Sequence, residues 1–194
     1  MATVPLQNDR KGIIPRLARG YAKRKFGQDV DPAAAASHHS GVLVAMGALE
    51  TAVEKGWKKL DPGLRWLATQ GVAGRIGCTW CIDYGYYEGM HDGIDPRKVR
   101  AVPLWRESPL FDERERTVLE YAESATMTPA AVSEDCADRL HSFFSDAEIV
   151  ELAAWVALEN LRSRFNAGLG LRSQGFAEKC ELPMSADVRS VATA

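Results

Sequence analysis

Apolar residues recur with a helical period along most of this chain. Between Ala33 and Trp57 they fall at Val42, Val44, Met46, Leu49 and Val53, and the spacing predicts one helix across that stretch. Asp31-Pro32 marks its start, with Asp as N-cap and Pro at the first helical position. Asp61-Pro62 repeats the signal and opens a helix to about Ile76. Gly77 interrupts the pattern; the next helix is predicted from Cys78 to about Met90, closed by His91-Asp92-Gly93. Asp95-Pro96 opens a short helix, and Pro103 to Pro109 reads as a loop. Asp112 with Glu115, and Ser145 with Glu148, have the spacing of capping boxes. The first opens a helix to about Thr126. The second opens a long helix through Ile149, Leu152, Trp155, Val156, Leu158, Leu161 and Phe165, ending at Gly168 or Gly170. Pro129 sets off another helix from Ser133 to Phe144. No stretch alternates with the period of a strand, and no segment repeats. The expected class is all-α, a bundle of about seven to nine helices.

The 194 residues suit one helical domain, expected at 33–182, with a basic N-terminal arm at 1–32 and a small, polar, loose tail at 183–194. The arm carries Arg10, Lys11, Arg16, Arg19, Lys23, Arg24 and Lys25 against Asp9 and Asp29. It reads either as a solvated helix packed on the body or a neighbouring subunit, or as a surface for an anionic partner. Over the whole chain 24 basic residues meet 26 acidic ones. That balance argues against a nucleic-acid binder. The longest apolar run, near Gly41 to Leu49, is about half of the ~20 residues a membrane span needs, so no stable membrane insertion is expected. The N-terminus shows no apolar leader. The expected compartment is the cytoplasm. Its reducing poise makes a close cysteine pair a redox or metal signal, not a structural bridge.

Such a pair exists in Cys78-Thr79-Trp80-Cys81. On a helix, residues three apart lie about 60° apart on adjoining turns, so the sulfurs can approach bonding distance. In the first turn of a helix, free N–H groups and the dipole stabilise a thiolate, the species that attacks peroxides and disulfides. Redox chemistry, a metal site and an inert pair are all compatible with the spacing. A metal needs two more ligands. His38-His39 is the candidate pair, but neighbours on a helix point about 100° apart, so no metal is expected. His38 and His39 could instead supply a proton relay near the thiols, or serve as a cap and a solvated side chain. Trp66, Trp80, Trp155, Tyr84, Tyr86 and Tyr87 read as core; Trp66, Trp80 and Tyr84 are also candidates to line a pocket beside the sulfurs. Tyr84 is close to Cys81, yet a phenol of pKa near 10 is a poor base. Asp83 lies about 200° around the helix from Cys81 and reads as structural, and Glu88 shares the Cys81 face at about 10 Å along the axis. The polar run from Glu159 to Asn166 reads as ion pairing at a helix end or as a buried network or subunit contact.

These residues resemble the carboxymuconolactone decarboxylase superfamily, on its alkylhydroperoxidase D-like branch. The resemblance rests on Arg75-Ile76-Gly77-Cys78-Thr79-Trp80-Cys81-Ile82-Asp83, and on the stretch from Glu148 to Gly170 with Asn160 and the Asn166-Ala167-Gly168 ending. It covers about residues 40 to 172. It implies an alkylhydroperoxidase D-like helical bundle, a homo-oligomer (dimer, trimer or hexamer) and thiol-dependent reduction of a hydroperoxide or disulfide by an external thiol donor, without flavin, haem or metal. It implies that Cys81 attacks and Cys78 resolves. The branch places a relay Glu twelve residues before the first cysteine and a relay His four after the second. Here those positions hold Trp66 and Gly85. A replacement relay must come from another helix, with His38, His39 and Gln70 as candidates, or from water. A water relay leaves the thiol near its ordinary pKa of about 8.5, so the expected peroxidase is weak and rises toward pH 8 to 9.

Overall fold

A computed structural model describes residues 2–6 and 12–180. Among the described residues there are nine α-helices, two short 3-10 turns and no strand. Arg10 and Lys11 of the basic arm, and the tail expected to be loose from residue 183, lie outside them. The chain forms two compact units: one of Met1–Lys58 with Gly168–Arg172, the other of Lys59–Ala167 with the stretch beginning at Ser173.

The first unit holds α1 (Ile13–Phe26), α2 (Asp31–Ala36) and α3 (Ser40–Gly56). Helix α1 stops at Gly27, whose φ of 69° is open to glycine, and Arg19 of α1 pairs with Asp29 at 3.0 Å. The single helix predicted from 33 to 57 is broken. Ser37 Oγ donates to the Ala34 carbonyl at 2.6 Å, and His38 and His39 close a tight turn onto Ala35 and Ala36. Ser and His side chains offer the backbone local partners that compete with the helical ladder. His39 is extended and caps α3, its Nδ1 accepting the Val42 N–H. Asp31 also falls inside the first turn of α2 instead of capping it; Val30 holds the cap position.

The second unit contains α4 (Pro62–Ile76), α5 (Thr79–His91), α6 (Pro96–Ala101), α7 (Glu113–Thr126), α8 (Glu134–Phe143) and most of α9 (Asp146–Gly168). Its starts follow the caps in the sequence. Asp61, Asp95, Asp112 and Ser133 each accept a backbone N–H from the first turn, and Ser145 forms its box with Glu148. Each cap is worth about 1 kcal/mol. Helix α4 is the centre, buried from Trp66 through Ala73. It lies against α7 closely enough that a Cβ on Gly71 would sit 3.2 Å from the Ala122 Cβ. Val118, Leu119, Leu152, Val156, Cys136 and Phe176 complete the core. Glu151 of α9 accepts the Lys59 and Leu60 N–H groups just ahead of α4. No helix of the described residues is long and apolar enough to cross a membrane.

Candidate functional site

Helix α4 ends at Gly77, in the left-handed region at φ 76°, with its N–H returned to the Ala73 and Gly74 carbonyls. That reversal places Cys78 one residue before α5, as its N-cap and not inside the helix as predicted. The Cys78 sulfur accepts the Cys81 N–H at 3.3 Å. Cys78 and Cys81, with Cα atoms 5.3 Å apart, are joined as a disulfide. Both are buried, in a cluster with Ala73 that Trp80 and Ile82 cover. From α9, Asn166 Nδ2 donates to the Cys81 sulfur at 3.3 Å. Each sulfur therefore has an N–H donor, and donors to sulfur favour the thiolate once the bond is reduced.

Asn166 belongs to a polar face of α9. Glu159, Ser163 and Asn166 follow at i, i+4 and i+7, and all three are buried. Ser163 Oγ donates to Glu159 Oε1 at 2.7 Å, and Arg162 approaches Oε2 at 3.4 Å. Burial pushes the Glu159 carboxyl up to about 7, against the lowering effects of Arg162 and Ser163. The facing side of α5 carries Cys81, Tyr84 and Glu88. The phenol of Tyr84 is pushed well above its ordinary range, first by burial and then by Glu88, so it stays protonated. Its ring stacks on Trp80 at 5.3 Å, and both rings meet Phe176 edge-on.

Two of the expected relay positions are filled by a different kind of packing. Trp66 Nε1 donates to the Gly85 carbonyl at 2.7 Å. A Cβ on Gly89 would lie 2.7 Å from the Trp66 ring, and one on Gly85 would lie 1.7 Å from Gln70 Nε2. Trp66 and Gln70 thus occupy the volume that side chains at 85 and 89 would need. Gln70 stands over α5 one turn beyond Cys81. His38 and His39 belong to the first unit, where His38 Nε2 donates to the Pro5 carbonyl at 2.7 Å and His39 caps α3. Trp80 donates from Nε1 to Gln174 Oε1 at 2.7 Å. Asp83, on the other side of α5, accepts the N–H groups of Gln174, Phe176 and Ala177. Sequence reasoning did not single out Asn166, Ser163 and Glu159 as site residues; their i, i+4, i+7 spacing was the available signal. A surface cavity of about 300 Å³ opens at the end of α4, lined by Arg75, Ile76, Thr126, Met127, Thr128 and Arg164. Among the described residues, no group of three or more His, Cys, Asp or Glu is placed to hold a metal ion.

The family model described as "Carboxymuconolactone decarboxylase family" matches residues 41–124. The uncharacterized protein YnjA of Escherichia coli K12 is 31% identical over 173 residues, which is 88% of this chain and 93% of YnjA. The chain belongs to the carboxymuconolactone decarboxylase family. Solved structures of the alkylhydroperoxidase D-like type share the fold. A protein of unknown function from Agrobacterium tumefaciens matches at 27% identity, with a TM-score of 0.64, over 71% of this chain and 94% of that one. An alkylhydroperoxidase D core protein from Ralstonia eutropha JMP134 matches at 18% identity and TM-score 0.77, over 93% and 99%. The debrominase Bmp8, solved as a Cys-to-Ala variant with 2,3,4-tribromopyrrole, matches at 18% identity and TM-score 0.78, over 91% and 95%. The chain carries Trp66 and Gly85 at the two positions where the resemblance leads one to expect relay residues.

Proposed function

We propose that this protein is a dithiol oxidoreductase that reduces small hydroperoxides with electrons from an external thiol donor. The observation that carries the reading is the Cys78–Cys81 pair at the start of α5, each sulfur within reach of an N–H donor. In the reduced protein the Cys81 thiolate attacks the peroxide O–O bond, leaving a sulfenic acid and an alcohol. The Cys78 thiol then displaces water and closes the disulfide, which an external dithiol reopens by exchange. Cys81 is given the attack because Asn166 reaches its sulfur from another helix, while Cys78 lies at the helix end where it can swing toward its partner. The protein acts as a homo-oligomer without metal or organic cofactor, in the cytoplasm, and has no nucleic-acid partner.

The test is consumption of an organic hydroperoxide with a dithiol donor. Cys81→Ser should abolish it. Cys78→Ser should still consume one equivalent and stop. Full turnover by Cys81→Ser would overturn the reading, and loss of the single turnover in Cys78→Ser but not in Cys81→Ser would reverse the roles. A second reading, favoured by the packing of Trp66 and Gln70 over Gly85 and Gly89, is a dithiol that senses redox state or serves another activity. It is distinguished by a reactive thiol in titration with negligible peroxide turnover.

A further inference from the structure

Peroxide reduction needs a proton to leave Cys81 and a proton to reach the departing alkoxide. The two groups that would move it, at positions 66 and 85, are absent, and their space is filled by an indole and an amide. The second unit nevertheless holds a buried carboxyl on the helix face that touches the attacking sulfur. Asn166 contacts Cys81, Ser163 lies one turn away on the same face, and Glu159 accepts the Ser163 hydroxyl at 2.7 Å. Residues three or four apart on a helix are neighbours, about 5–6 Å between Cβ atoms, so Ser163 lies between Asn166 and Glu159 on that face. The opposite stripe runs in matching register: Cys81 of α5 meets Asn166, and Glu88, two turns on, adds charge at Glu159. One titratable carboxyl and two hydrogen-bonding side chains thus lie buried on the face of α9 that meets a redox sulfur.

We propose that Glu159, acting through the Ser163 hydroxyl, stores the proton that Cys81 gives up and returns it to the leaving group of the peroxide. The inference rests on the peroxidase reading above. In the forward step the Cys81 S–H proton passes to Glu159, the thiolate sulfur bonds the distal peroxide oxygen, and the O–O bond breaks toward the alkoxide. The stored proton then converts the alkoxide to alcohol. Cys81 is oxidised by two electrons to the sulfenic acid, the peroxide is reduced by two, and Glu159 ends as it began. The charged and titratable groups around Glu159 are Arg162 on its own helix and Glu88 on α5, with Tyr84 beside both. Burial raises the carboxyl, Arg162 and Ser163 draw it back down, and Glu88 adds to the rise.

Two reactions of the same sulfur separate this role from a structural one. Attack on a peroxide requires a proton for the alkoxide, whereas alkylation by iodoacetamide releases iodide and requires none. Both rates should be measured from pH 5.5 to 9 in the reduced protein, for wild type, Glu159→Gln, Glu159→Asp and Ser163→Ala. Glu159→Gln should slow the peroxide reaction about 10- to 100-fold at pH 7. Because alkylation also needs the Cys81 thiolate, any loss of ionisation slows both reactions alike, and the excess slowing of the peroxide reaction over alkylation reads the proton returned to the alkoxide. Ser163→Ala should act in the same direction, and Glu159→Asp should recover part of the rate. Equal slowing of both reactions would overturn the proposal, because it would mean that only the ionisation or packing of Cys81 had changed and that no proton is returned to the alkoxide. So would a peroxide rate that neither Glu159→Gln nor Ser163→Ala alters, which would leave the peroxidase reading intact. Absence of peroxide consumption in the wild type would overturn the two together. Should Glu159→Gln fail to fold, Ser163→Ala decides.

Discussion

A carboxyl that burial lifts to about 7 leaves a signature on stability as well as on chemistry. Glu159 has an ordinary value of 4.5 when solvated, so between 4.5 and about 7 the folded protein holds a proton that the unfolded chain has released. Its favourable contribution is complete below pH 4.5 and is lost as pH rises through about 7. The gap of about 2.5 between the two pKa values, at about 1.4 kcal/mol per unit, sets an upper size of about 3–4 kcal/mol. Glu159→Gln removes the titration but keeps the shape. Urea unfolding of the two proteins should therefore show the variant gaining up to about 3–4 kcal/mol on wild type between pH 4.5 and 8. A difference that is constant with pH would show that the carboxyl is charged in the folded state throughout.

At the scale of elements, α5 is fixed from both sides by polar contacts that are remote in sequence. On one side Asn166 reaches Cys81; on the other Asp83 collects three backbone N–H groups from residues 174–177 and so pins Phe176 against Trp80, Tyr84 and Tyr87. A carboxylate receiving three N–H bonds in a buried setting leaves three orphaned donors when it is removed. Asp83→Ala should destabilise the fold by about 3 kcal/mol or more, read as a lower urea midpoint. It should also expose Trp80, seen as a red shift in tryptophan emission. Unchanged stability would mean that the 174–177 segment is held by its aromatic contacts alone.

At the scale of the whole molecule, several large apolar side chains are exposed among the described residues. Val42, Val44 and Leu49 of α3 are exposed in the first unit, and Val150 and Leu161 of α9 are 69% and 47% exposed in the second. Burying a side chain of this size is worth about 1.5–3 kcal/mol, so such a surface favours the homo-oligomer proposed above. Light scattering at micromolar concentration should give a multiple of the 21.3 kDa chain mass, and Leu161→Glu should lower it. A strict monomer for the unaltered protein would refute self-association.

The all-α class, the family and most helix starts of the second unit are legible in the order of the residues alone. Those starts are local events. Asp61, Asp95, Asp112, Ser133 and Ser145 each bond an N–H two or three residues ahead, and Gly77 supplies the one left-handed residue that the turn before Cys78 requires. The Cys-x-x-Cys spacing is local in the same sense. Local logic failed at Ser37-His38-His39, where side chains competing for the backbone broke a helix whose apolar period continued across them. What lies around the sulfurs comes from segments remote in the chain. Asn166 meets Cys81 from 85 residues away, and Gln70 and Trp66 fit against α5 because Gly85 and Gly89 respectively leave room for them on a different helix. Glu159 is an ordinary acid in the sequence. Its proton affinity near neutrality comes from desolvation, which depends on what packs over the carboxyl and not on its chain neighbours.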